Sequence, residues 1–267
     1  MRWLGLLALL LLVGVVCFMG IDLFVRGFAG FHGQYLFEAP RDLGRSGGIG
    51  PMLLSTLVIV VLATLLATLF SLPCAVTYCE MFGPKWFRRF ALALLDIGVG
   101  TPRVVWGLFG GVFFGGILGL GFSMWCGILT LACLLTPILT TGFIAGIQAV
   151  DPGLREQCAA LGLSSWVTCW GQVIPAARPS LVAAVALAAA RGCGDAAALL
   201  FTSGLATHWV KGLGESSATL AVFIYNLLSS VPGGQKAAYT AAAVLFLLTF
   251  AIQMIISGTN TEERFAR

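Results

Sequence analysis

The stretch "MLLSTLVIVVLATLLATLFSLPCAVTYC" (52–79) contains no charged side chain and runs apolar on every side. A strand crossing a bilayer would alternate apolar and polar residues with a period of two. An unbroken apolar run of about 20 residues fits a spanning helix instead. Similar runs flank it: Trp3–Val25, roughly Phe90–Leu120, Cys126–Val150, a run starting near Leu181, and about Ala237–Ser257. The expected fold is therefore all-α and polytopic, with about six membrane helices, several of them interrupted by Gly or Pro.

Composition points the same way. The chain has 267 residues, of which 59% are hydrophobic and 10% charged, and its mean hydropathy is +0.98. A soluble domain carries about 25% charged residues, so this chain lacks the polar groups to cover a water-facing surface. Its net charge of +4 is small and dispersed, which gives no footprint for nucleic acid. The eight cysteines (Cys17, Cys74, Cys79, Cys126, Cys133, Cys158, Cys169 and Cys193) form no C-x-x-C and mostly sit in apolar runs, with two histidines in the chain. They read as small apolar fillers, not as a zinc site or a disulfide frame. No metal site, cofactor or catalytic residue is predicted, since no paired catalytic carboxylates, Ser–His arrangement or metal cluster appears.

Basic residues set an expected orientation. Lys85, Arg88 and Arg89 crowd one short loop, which is placed in the cytoplasm. Alternation of the spans then puts Arg2, Arg155, Arg178, Arg264 and Arg267 on that side, with Arg26, Arg41, Arg45, Lys211 and Lys236 opposite. Both termini are predicted to be cytoplasmic. A signal peptide is the other reading of the first run, because Arg2 precedes it and "GFAGFHG" (27–33) follows. The run exceeds the usual 7–15-residue signal core, so a retained anchor is expected. The organisation read this way is an N-terminal helix and external loop over 1–50, a core over 51–258 and a cytoplasmic tail over 259–267.

Between the fourth and fifth runs lies "LREQCAALGLSSWVTCWGQV" (154–173), too polar to cross a bilayer. Asp151-Pro152-Gly153 marks a turn, a helix-favouring run follows, Gly162 ends it, and Ser164 or Ser165 caps a second helix. Pro175 and Pro179 are expected to close that second helix. On physics alone, a surface helix pair anchored by Trp166 and Trp170 and a docking element are both open readings.

The motif content separates them. Glu156, Ala160, Leu161 and Gly162, followed by Pro175 thirteen residues after the glycine, resemble the EAA loop of ABC importer permeases. Gln157 and Cys158 depart from its Ala-Ala, and Gln172 and Ile174 stand where Ile and Leu are usual. Further stretches resemble the phosphate-specific members in the right order. They are 47–83, "GTPRVVWGLFGGVFF" (100–114), "RGCGDAAALLFTSG" (191–204) and "LAVFIYNLLSS" (220–230), and the last two resemble the A-type subunit. This resemblance implies a type I ABC importer permease fold whose cytoplasmic coupling loop spans 151–179. It implies as partners a homologous C-type permease, two copies of a cytoplasmic ATPase and an external phosphate-binding protein. The chain holds no G-x-x-x-x-G-K-[ST] phosphate loop, so ATP hydrolysis would come from another chain.

Charges inside the runs are the candidate pathway residues. Arg191 lies about 15 Å along a helix from Leu181, and Asp195 follows at i+4, where it can pair with Arg191 at rest. Arg103, at a position where the resembling families usually have Ser, lies at comparable depth. A mid-membrane arginine costs at least ~2.5 kcal/mol and usually faces a polar cavity. A plain ion pair locking two helices is the competing reading of Arg191 and Asp195. In the same positions as Asp195, Ala196 and Ala198, the family pattern has Glu, Thr and Pro. Asp96 is expected to partner Arg88 and Arg89 structurally. The gathered glycines (Gly110, Gly111, Gly115, Gly116, Gly119) are explained by close helix packing, and Pro73, Pro102 and Pro137 can kink spans. The expected function is a permease for inorganic phosphate. A permease for another oxyanion (molybdate, sulfate, phosphonate) or another small solute is the near alternative, and a non-transporting membrane scaffold or an assembly subunit of a respiratory complex is the distant one.

Overall fold

Two parallel helices, α2 (Gly50–Glu80) and α5 (Met124–Gln148), form the centre of the molecule. The computed structural model describes residues 2–28, 31, 33–80 and 84–265, with side chains over the same range except at 2, 4 and from 255 onward. Arg267 and the side chains of Arg2 and Arg264 lie outside what is described. The register of the central pair is fixed at two levels. Ser71 donates to the Thr136 carbonyl at 3.0 Å, and the Cys79 thiol faces the Ile144 carbonyl at 4.0 Å.

The buried face of α2 is made of Ser55, Thr56, Ala63, Thr64, Ala67 and Ser71, with Ile59 and Val60 among them, at helical spacing. Leu54, Leu57, Val61, Leu65, Leu69 and Phe70 point outward. This inverts the pattern of a soluble helix. Lipid receives the large apolar side chains at no cost, while small residues let backbones approach closely. Two of the buried hydroxyls bond one turn back, Ser55 to the Pro51 carbonyl at 2.8 Å and Thr56 to the Met52 carbonyl at 2.7 Å, while the Thr64 hydroxyl has no partner among the described residues.

Around this pair run α1 (Arg2–Phe28), α3 (Lys85–Gly100), α4 (Arg103–Gly110, continued by a wide π turn through Ile117) and the short α6 (Pro152–Ala160) and α7 (Ser165–Thr168). They are followed by α8 (Ile174–Cys193), α9 (Leu220–Ser229) and α10 (Gln235–Phe265). A two-stranded hairpin, Pro40–Arg41 with Ser46–Gly47, sits between α1 and α2. Among the described residues helix α1 meets α10 near the α1 C-terminal end, with Phe24 edge-on to Phe246 at 5.6 Å and Arg26 over the Tyr239 ring at 5.3 Å. Among the described residues five helices are long and apolar enough to cross a membrane, or six when α3 and α4 count as one bent span.

Two expectations change here. The third run is not one helix: α3 and α4 meet at a bend of 93°. Thr101 precedes Pro102 and takes the extended ψ of 129° that a residue before proline prefers, which ends α3. The Trp106 indole then reaches back across the bend to the Gly98 carbonyl at 3.4 Å. Pro73 and Pro137, by contrast, lie inside continuous helices. The second change concerns Pro175 and Pro179, which do not close a helix. The chain runs from α7 through a π turn (Cys169–Val173) straight into α8, with both prolines inside. In the π turn the Ile174 N–H donates to the Cys169 carbonyl five residues back, and this wider turn makes room for the Pro175 ring. The helical run therefore begins at Ser165, well before Leu181.

Candidate functional site

The polar loop is built by local caps. Asp151 accepts the Gly153 N–H at 3.0 Å, and Pro152 occupies the first turn of α6. At the other end Gly162 adopts φ +72°, a left-handed conformation suited to glycine. It lets the Leu163 N–H return to the Cys158 carbonyl at 3.1 Å. Ser164 caps α7 by accepting from Val167 at 3.4 Å. Cys158 is buried beneath, while Glu156, Ala160, Leu161 and Gly162 are exposed together on one projecting edge. Trp166 and Trp170 extend that edge, their rings 5.6 Å apart. Pro175 is not part of it; it lies half-buried in α8.

A second site forms where two helices break beside the middle of α5. Glycines set the levels. Gly98 lies against Pro137 and Gly110 against Thr130, so the α3–α4 bend is held between those two turns of α5. Gly192, near the end of α8, faces Leu131 and Leu135, which brings Arg191 to the same depth. Helix α8 stops at Cys193, and Gly194 turns the chain with its N–H bonded to Gly192. Asp195 therefore does not sit one turn above Arg191 on a common face, and the expected Arg191–Asp195 pair is absent. Arg191 is exposed and makes no ion pair among the described residues.

Asp195 faces Arg103 instead, at the first residue of α4, with 3.4 Å between Oδ2 and Nη1. Its side chain is 1% exposed against 46% for the arginine. Oδ1 accepts the Ala198 N–H at 3.1 Å, whereas Oδ2 is in no hydrogen bond. Gly107 explains why α4 comes this close. A Cβ there would stand 2.8 Å from the Ala198 Cα, so only glycine lets the helix press on the segment after Asp195. Asp96 makes no ion pair among the described residues, and Arg88 lies over the Tyr78 ring at 4.9 Å instead of meeting it. Among the described residues no group of three or more His, Cys, Asp or Glu is placed to hold a metal ion.

Residues 67–267 match the sequence profile of the family described as binding-protein-dependent transport system inner membrane component. The chain belongs to that family. It is similar to the probable ABC transporter permease protein YqgI of Bacillus subtilis, 28% identical over 84% of this chain and 81% of that protein. It is also similar to the phosphate transport system permease protein PstA of Haemophilus influenzae, 29% identical over 94% of this chain and 90% of that one. Among solved structures, an inward-facing MetNI methionine ABC transporter shares the fold with a TM-score of 0.65 at 16% identity, covering 79% of this chain and 94% of that one. The fold is that of a type I ABC importer permease, and the chain is the permease component of such an importer, whose ATPase is a separate partner.

For this permease, sequence reasoning missed two partnerships. Arg155, beside Glu156, reaches Glu80 at the end of α2, with 2.9 Å between Nη2 and Oε1. The readable signal was an acid closing the second apolar run where helix ends favour cations. The Arg103–Asp195 pairing was hidden because both residues were placed on continuous helices, and the breaks at Pro102 and Gly194 bring them together.

Proposed function

We propose that the permease carries inorganic phosphate, as the A-type half of a pathway completed by a homologous C-type permease. One of the importer's two ATPase copies docks on the exposed edge of Glu156, Ala160, Leu161 and Gly162, and an external binding protein delivers the ion. The loop and both termini then face the cytoplasm, in line with the basic cluster at Lys85, Arg88 and Arg89. Similarity to PstA over nearly the whole chain supports phosphate.

The observation that carries an oxyanion pathway is the meeting of two interrupted helices at Arg103 and Asp195. Irregular backbone at mid-span is tolerated where it is packed in protein or lines a polar cavity, and discontinuous helices build such sites in transporters. Asp195 caps the turn after α8 and holds the guanidinium by a long contact, leaving most of its donors free. Arg103, joined by Arg191 at the same depth, offers planar donors that match phosphate oxygens, while Asp195 keeps the hold weak enough for release.

The test is ATP-driven uptake of labelled phosphate by the reconstituted importer. Arg191→Ala inserts and assembles normally and abolishes uptake, and Arg103→Ala lowers it by about tenfold, equivalent to ~1.4 kcal/mol. Wild-type uptake in both variants overturns the pathway assignment. Uptake of sulfate, molybdate or a phosphonate in place of phosphate moves the permease to that oxyanion. Failure to carry any of them overturns the oxyanion assignment and leaves a permease for another small solute.

A further inference from the structure

Arg155 sits one residue before the exposed Glu156, yet its side chain points inward, away from the docking edge. Its Nε and Nη2 donate to Glu80 Oε1 at 3.2 and 2.9 Å. Nη2 also donates to the Ile147 carbonyl at 3.1 Å, and Nη1 to the Val150 carbonyl at 3.3 Å. Glu80 is the last residue of α2, and Ile147 belongs to the last turn of α5. One guanidinium on α6 thus grips the ends of both central helices.

The chemistry suits this role. The last carbonyls of a helix are unpaired and carry partial negative charge, and a carboxylate at a helix end adds to that charge. Arg155 answers all three acceptors with one rigid fork, which lysine's single ammonium cannot do. Because α2 and α5 run parallel in register, a displacement applied at this shared end moves them together. Gly98 on Pro137 and Gly110 on Thr130 seat the α3–α4 bend directly on α5. Contiguous contacts therefore lead from α6 through Arg155 to α5 and on to Arg103.

We propose that Arg155, braced by Glu80, is the positioning residue that passes movement of the coupling loop to α2 and α5. The proposal rests on the coupling-loop reading above. It is tested on the whole importer in lipid nanodiscs, by hydrogen–deuterium exchange before and after trapping with ATP and vanadate. In the wild type, exchange changes at 151–165 and at the far helix ends, 50–56 and 124–130. With Arg155→Leu the change at 151–165 persists and the far change shrinks by about fivefold or more, the size of a coupling of about 1 kcal/mol. Arg155→Lys and Glu80→Gln give intermediate losses, and they decide the matter where the leucine variant does not assemble. A far change of wild-type size in these variants overturns the proposal. No change at 151–165 in the wild type itself overturns the coupling-loop reading, a distinct result because it needs no variant.

Discussion

Among the described residues two ion pairs join distant parts of this permease, and they are built in opposite ways. At the loop end, Arg155 and Glu80 are 2.9 Å apart, and the guanidinium makes four hydrogen bonds. Beside the middle of α5, Arg103 and Asp195 are 3.4 Å apart, and the buried Oδ2 makes none. A buried charge contributes to stability when its partners satisfy it, and it costs when they do not. The loop pair is thus constructed to hold two helices together. The mid-span pair holds an arginine in place without consuming its donors, which suits the pathway role proposed for it.

The largest effect expected on this contrast is in stability. Arg155→Leu removes a donor at once from Glu80, from the Ile147 carbonyl and from the Val150 carbonyl just beyond α5. Breaking a fully buried pair costs about 3–5 kcal/mol, and the partial exposure of this one lowers the expectation to about 2–3 kcal/mol. Denaturant-induced unfolding in mixed micelles measures it. A loss no greater than that of Asp195→Ala would erase the distinction between the pairs.

Next comes the contact that brings Arg103 to Asp195. Gly107→Val places a branched side chain where a single Cβ already stands 2.8 Å from the Ala198 Cα. Helix α4 must back away, at an overpacking cost of about 1–3 kcal/mol. The ion pair opens with it, so under the proposed pathway uptake falls together with thermal stability. Unchanged uptake in a destabilised Gly107→Val protein would separate the helix contact from the pathway.

These contrasts also show which features the sequence displays. The spans were legible because uncharged runs such as 52–79 admit little but a helix in lipid. The loop over 151–164 was legible because Asp151, Gly162 and Ser164 are cap residues whose chemistry acts locally. The family was legible from motif order. The Arg103–Asp195 contact was not, because i,i+4 spacing is informative only along an unbroken helix, and Gly194 breaks this one. Nor was the buried face of α2, where lipid removes the polar-outside signal that marks a soluble helix. Pro175 misled for a local reason: a π turn ahead of a proline leaves no mark in residue types.

The smallest stability effect, and the sharpest test of the contrast, belongs to Asp195→Asn. The amide oxygen still accepts the Ala198 N–H, and Oδ2 has no hydrogen bond to lose. Stability should change by less than about 1 kcal/mol, since neither a cap nor a satisfied charge is removed. Glu80→Gln should cost more, about 1–2 kcal/mol, because Oε1 accepts two charge-assisted bonds from Arg155. Uptake should rank the other way. The neutral amide no longer holds Arg103 electrostatically, and under the proposed pathway the freed guanidinium keeps its ion and slows release. A marked stability loss in Asp195→Asn with uptake intact would make the mid-span pair a lock like the one at Glu80.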